Sequence, residues 1–188
     1  YIDTMDVHLM PGNYQGGHSQ GAEAGVVYDN GLDVFSFGVM GKNLDDIGHS
    51  MANFTRLKWP ELNPKLIVDV GCTIGHNTVP WKQTFPEAEV HGLDAASPCL
   101  QYGHARAEAM GVPIAFKQAL CDALPYCDNS VDVVFSSMFL HELPTPIIKA
   151  FFDEASKPLW AASATAAMSP GCIAAAELAT FPVNGFTL

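Results

Sequence analysis

The sequence predicts an α/β protein of three layers, a mostly parallel sheet with helices on both faces, and three observations carry that expectation. Leu66, Ile67, Val68 and Val70 form an almost unbroken apolar run, the pattern of a parallel strand covered on both sides. A glycine turn holding Gly71 and Gly75 follows at once, and His76, Asn77 and Thr78 open a helix. Further short apolar runs then alternate with helical patterns as far as the end of the chain. At 188 residues the length fits one domain with a substantial core.

Bulk charge and cysteine usage narrow the function classes. Nine Lys and Arg against 20 Asp and Glu leave a formal charge of −11, which opposes a phosphate backbone and disfavours nucleic acid as a partner. Neither a signal peptide nor a membrane-spanning run is read, so a cytoplasmic protein with no membrane partner is expected. Five cysteines, odd in number and without C-x-x-C spacing, read as reduced thiols, and no metal site is expected.

Taken in order, residues 1–30 are rich in glycine and polar residues and read as a mobile arm or lid. The apolar group Val34, Phe35, Phe37, Val39 and Met40 predicts a short helix over 31–40. Asn43 is expected to cap a second helix, with Asp45 and Asp46 in its first turn and Ile47, Met51, Phe54 and Leu57 along its inner face. Residues 1–60 are thus assigned to an N-terminal arm and helical cover, and 61–188 to the sheet domain.

Within that domain the first strand ends near Asp69, a carboxylate that is costly to bury unless paired. The helix after the turn runs to Phe85 with Pro80 in its first turn. A second strand, Glu89 to Leu93, ends in Asp94. Ser97 and Pro98 cap and start a helix that Gly111 closes. Residues 113–117 form a third strand and Val131 to Phe135 a fourth; Thr145 and Pro146 then start a helix with Ile147, Ile148, Phe151, Phe152 and Ala155 inward, broken by Pro158. Ile173 to Leu178 is a fifth strand, after which too few residues remain for the strands that would close such a sheet. A homodimer or a further C-terminal segment would cover the resulting edge.

The turn separates two cofactor classes. A dinucleotide fingerprint G-x-G-x-x-G needs glycine where this chain has Thr73 and His76. The pattern acidic-x-G-x-G-x-G, met by Asp69, Gly71 and Gly75 with Thr73 departing, resembles motif I of the class I S-adenosylmethionine (SAM) methyltransferases. LPYCDNSVDVV, from Leu124 region residues 124–134, is similar to the run that leads into their fourth strand. The resemblance covers about residues 65–178 and implies a Rossmann-like fold, SAM as cofactor and a small-molecule methyl acceptor.

Site residues follow from the same resemblance. Asp69, Gly71, Cys72 and Gly75 would form the cofactor turn, and Asp94, with Ala95 beside it, would accept the ribose hydroxyls. The family's adenine-contacting acid falls on Leu120, with Cys121 supplying a backbone amide; Asp122 either replaces that acid or is a solvated loop residue. Ser136 would face the methionine portion. His141, a few residues beyond the fourth strand on the side where such folds bind ligands, is either the general base, with Glu142 orienting it or binding substrate, or a residue that only hydrogen-bonds within its loop; an unperturbed pKa near ~6.5 suits neutral-pH proton transfer. The competing readings are a non-catalytic or degenerate SAM-binding module and, on the fold alone, a nicotinamide-dependent dehydrogenase.

Overall fold

The computed structural model describes residue 14 and residues 21–159. In chain order these form α1 (Glu23–Phe35), α2 (Asp46–Lys58), β1 (Leu66–Val70), α3 (Thr78–Thr84), β2 (Glu89–Asp94), α4 (Ser97–Ala109), β3 (Ala115–Gln118), β4 (Val133–Phe135), a 3₁₀ turn (Leu140–Glu142) and α5 (Thr145–Ser156). The four strands make one parallel sheet of order β3-β2-β1-β4. Strand order reverses at β1, between β2 and β4, and in open α/β sheets the crevice at that point takes the ligand. The expected fifth strand over 173–178, Cys172 and most of the proposed arm lie outside the described residues.

Alternation along β1 divides the core. Ile67 joins Trp81, Phe85, Met51 and Val133 on one face, while Val68 and Val70 join Leu93, Val134, Leu143 and Phe151 on the other. On the first face Trp81 stacks on Phe135 with ring centroids 4.3 Å apart, and both are fully buried. Large side chains of this kind contribute roughly 1.5–3 kcal/mol each by leaving water, so the α3–β4 contact is a main anchor of the sheet.

Several local expectations are corrected. A helix occupies Glu23–Phe35, where the sequence reads partly as loose arm, and the helix expected over 31–40 stops at Phe35. Gly25 explains the first point: a Cβ there would lie 2.3 Å from that of Tyr102, so the helix exists by close packing on α4 that intrinsic propensity does not reveal. The following turns place Phe37, Gly38, Gly41 and Leu44 at positive φ, which no helix tolerates.

In α2 the N-cap is Asp45, without a side-chain capping bond, and Asn43 is not the cap. Its inner face is Gly48, Met51, Ala52 and Thr55; the expected Leu57 is 78% exposed. Small residues at 48 and 52 let α2 approach α3, where a Cβ on Gly48 would meet the Asn77 backbone at 2.7 Å. β4 is shorter than expected, since Val131 forms only an isolated bridge with Leu159 and the Asp132 carboxylate accepts bonds from the Lys65 and Leu66 amides at 2.8 and 2.9 Å. Smaller shifts put Ala96 at the N-cap of α4, move the third strand to Ala115–Gln118, and make Pro144 the N-cap of α5, on which Phe152 stays partly exposed.

Candidate active site

The turn after β1 is built from left-handed backbone. Gly71, Thr73 and Gly75 have φ of 80°, 51° and 81°. Thr73 thus holds a conformation that favours glycine, at the position where the acidic-x-G-x-G-x-G pattern has one. Asp94 at the end of β2 holds it there: Oδ2 accepts the Thr73 N–H and Oδ1 the Ala96 N–H, each at 2.9 Å. The Gly71 and Cys72 amides donate to the Leu93 carbonyl, so the turn is tied to β2 at both levels. The two glycines serve different neighbours. A Cβ on Gly71 would meet the Phe139 ring at 2.3 Å, and one on Gly75 the Phe116 ring at 2.9 Å.

Asp69 is buried on the α3 face, where the Thr78 hydroxyl donates to its Oδ2 at 2.6 Å. Burial lifts its pKa from 3.8 to about 7, against the lowering effect of that bond. Burial also raises Asp94, opposed by its backbone amides, and pushes the Cys72 thiol well up, with the nearby carboxylates adding to the effect.

A cavity of about 500 Å³ opens over this turn. Of the residues singled out in the sequence, Asp69, Gly71, Cys72, Asp94, Ala95, Cys121 and Glu142 line it. Gly75, Leu120, Asp122, Ser136 and His141 are not among its lining residues. Leu120 is 41% exposed, and the buried Oδ1 of Asp122 has no hydrogen-bond partner among the described residues. The Ser136 hydroxyl donates to the Val70 carbonyl at 2.8 Å and so joins β4 to β1. His141, half exposed, places Nε2 2.9 Å from Oε1 of the more buried Glu142. The two side chains pair, with Glu142 on the cavity side.

The roof comes from the stretch expected to form a cover, through side chains that the sequence did not single out as site residues. Tyr28, Leu32 and Phe35 of α1 line the cavity together with Tyr14, which meets Tyr28 edge to face at 5.6 Å. Asp29 latches this helix down: Oδ1 lies 2.8 Å from His76 Nε2 in the cofactor turn, and Oδ2 accepts the Tyr102 hydroxyl of α4 at 2.6 Å. Burial and the nearby Arg106 lower the pKa of His76, against the raising effect of Asp29. Tyr14 is pushed up to about 12, by burial first and then by Tyr28, Glu142 and other anionic neighbours. Asp29 and His76 are 47 positions apart, and no spacing rule joins them. Among the described residues no three His, Cys, Asp or Glu side chains gather into a metal site, and no helix is long and apolar enough to cross a membrane.

Comparison with known proteins agrees with this geometry. Over 98 residues the chain is 36% identical to a malonyl-[acyl-carrier protein] O-methyltransferase of Xylella fastidiosa, covering 50% of this chain and 32% of that protein. Over 74 residues it is 38% identical to a demethylmenaquinone methyltransferase of Thermus thermophilus, covering 39% and 34%. The chain therefore spans about a third of the length of these curated relatives. Among solved structures, a candidate SAM-dependent methyltransferase of Methanococcus maripaludis superposes with a TM-score of 0.61 at 12% identity, covering 77% of this chain and 61% of that one. The cyclase SpnF superposes with a TM-score of 0.51 at 18% identity, covering 59% and 41%. Such likenesses show the Rossmann-like fold, which several chemistries share. The family model described as "Methyltransferase domain" matches residues 67–160, half of the chain and the same span that carries β1, the glycine turn and β4, and the chain belongs to that family.

Proposed function

We propose that this chain carries the SAM-binding, catalytic domain of a methyltransferase acting on a small molecule. The observation that carries the reading is Asp94. It sits at the end of β2 beside the switch point, lines the cavity, and is preoriented by the Thr73 and Ala96 amides, leaving carboxylate lone pairs for a pair of ribose hydroxyls. The donor set fits the cofactor: Asp69, Asp94 and Glu142 put carboxyl groups around a cavity that would receive a sulfonium and an ammonium. Ala95 and Cys121 would flank the nucleoside.

When bound, SAM supplies an electrophilic methyl group on a sulfonium that leaves as a neutral thioether. The chain itself orients the partners and excludes water, and proximity of this kind supplies much of the acceleration. Glu142 faces the cavity and is the group placed to accept the acceptor's proton, with His141 on its outer side to hand it to solvent. On this reading residues 1–60 form the cover and 61–188 the cofactor domain, while the charge of −11 disfavours a nucleic-acid acceptor. The buried thiols Cys72 and Cys99 stand outside any disulfide among the described residues, which suits a reducing, cytoplasmic setting. The outer edge of β4 has no named-strand partner among the described residues, and a second copy of the chain is one way to cover it; sedimentation velocity reads that directly.

Calorimetry with SAM and S-adenosylhomocysteine tests the cofactor. Micromolar binding of either supports the assignment, and no binding of both refutes it. The second reading, a SAM-binding module without turnover, is favoured by the breadth of chemistries on this fold, and transfer of radiolabelled methyl to any acceptor excludes it.

A further inference from the structure

We infer that Asn77 holds the amino-acid end of the cofactor, its side-chain amide meeting the α-carboxylate and the α-ammonium in a site lined by no Lys or Arg. This rests on the methyltransferase reading and adds a cofactor-selecting residue that the sequence did not single out.

The cofactor has two ends, and the site separates them. Asp94 ends β2, with Ala95 after it and Cys121 after β3, so a nucleoside held there lies on the β2–β3 side of the turn. Tyr14 and Tyr28 belong to that side, since both pack against Ala96 and Cys99 at the start of α4. The amino-acid end then reaches across β1 to the side of α2. There Asn77 lines the cavity, and its backbone lies against Gly48.

Few groups there can meet a carboxylate. The amides of Gly71, Cys72, Thr73 and Gly75 all donate to protein acceptors, so the backbone of the turn is committed. All nine Lys and Arg of the sequence fall within the described residues, and none lines the cavity. His76 gives its Nε2 hydrogen to the Asp29 carboxylate, and burial keeps the ring neutral, so its other nitrogen is an acceptor. The Thr73 hydroxyl is bonded to Tyr28. Asn77 remains. Its side chain makes no capping bond to α3, its Oδ1 is buried without a partner, and no hydrogen bond engages its Nδ2 among the described residues. An amide left open in this way calls for a partner. The ammonium supplies a donor for Oδ1 and the carboxylate an acceptor for Nδ2, so one neutral side chain answers both charges of the zwitterion.

Calorimetry on the full chain compares S-adenosylhomocysteine with 5′-deoxy-5′-methylthioadenosine, which keeps the nucleoside and the thioether and lacks the amino-acid end. The unsubstituted protein is expected to bind the first at least about tenfold tighter. Asn77→Ala should weaken S-adenosylhomocysteine about ten- to a hundredfold, the loss expected for hydrogen bonds to charged groups, and leave methylthioadenosine within about twofold. Asn77→Asp keeps an oxygen acceptor and removes the donor, and should also cost at least about tenfold. Equal losses for the two ligands in Asn77→Ala would make Asn77 a structural residue, and no loss for either would leave the amino-acid end to other groups; each overturns the inference. Affinity kept in Asn77→Asp overturns the carboxylate contact. If the unsubstituted protein binds the two ligands equally, the inference falls while the methyltransferase reading stands; if it binds neither, both fall.

Discussion

Replacing Gly71 by alanine isolates what that glycine does. Its φ of 80° is left-handed, which costs an L-residue about 1–2 kcal/mol. The new Cβ would also lie 2.3, 2.4 and 2.8 Å from three atoms of the Phe139 ring, far inside van der Waals contact, so the ring must move. Moving it gives up an edge-to-face contact with Phe151, now 6.3 Å away at 87°, worth about 0.5–1.5 kcal/mol. Alanine returns about 0.4–1 kcal/mol by restricting the unfolded chain. The net expectation for Gly71→Ala is a loss of about 1–3 kcal/mol, or roughly 2–12 °C in melting temperature for a chain of this size. Urea unfolding followed by fluorescence, with buried Trp81 as a probe, reads this directly. Phe139→Leu in the same background should restore about 1 kcal/mol, because the clash goes with the ring. A cost below about 0.5 kcal/mol, or strict additivity of the two substitutions, would refute the claim that Phe139 is what demands glycine at 71.

Other expectations follow from the site. The pKa of Asp69 is raised in the folded protein, to about 7, so its protonated form is the one the fold prefers; its contribution is complete below its ordinary 3.8 and is lost as pH rises towards about 7. Without cofactor, Asp69→Asn should therefore flatten the pH dependence of the urea midpoint between about pH 4 and 7; an unchanged slope would assign that dependence to other groups. Asp94→Asn should weaken SAM binding by about ten- to a hundredfold in calorimetry and also lower the melting temperature, since one carboxylate oxygen becomes a donor facing a backbone N–H. Glu142→Gln should cut methyl transfer about a hundred- to ten-thousandfold with SAM affinity kept, whereas His141→Ala should cost less than about tenfold; the reverse order would return the base to His141. Asp29→Ala should speed amide exchange across α1, because the hydrogen bonds of Asp29 to His76 and to Tyr102 are removed together.

How far the molecule could be read from its residues depended on the range of the interactions. β1, β2 and the turn between β1 and α3 are announced by contiguous apolar runs and glycines, because a strand buried on two faces has little choice of composition. Asp94 was visible for the same reason: it stands at the end of such a run. α1 was not, since its support comes from Tyr102, 73 positions away from Asp29, and from a glycine that lowers helix propensity even as it permits the packing. Thr73 read as a departure from the glycine pattern, yet a carboxylate 21 positions later holds its backbone in the conformation glycine would have taken. The pairing of His141 with Glu142 was legible from adjacency, while which of the two faces inward depended on the 3₁₀ turn that carries them.

The chamber is assembled from two separate stretches of chain. Its floor, from Asp69 to Leu143, lies wholly within the family match, whereas Tyr14, α1 and the first residues of α2 all precede residue 67. The two stretches meet at a few points, with Asp29 clasping His76 and Gly48 lying against the Asn77 backbone. On the proposed reading the roof bears on the body of the acceptor, while the floor bears on the cofactor and, through Glu142, on the acceptor's reacting group. Two proteins sharing the matched span would bind the same methyl donor while lodging unlike acceptors, and a chimera that swaps residues 1–60 between them would be expected to carry acceptor choice with it.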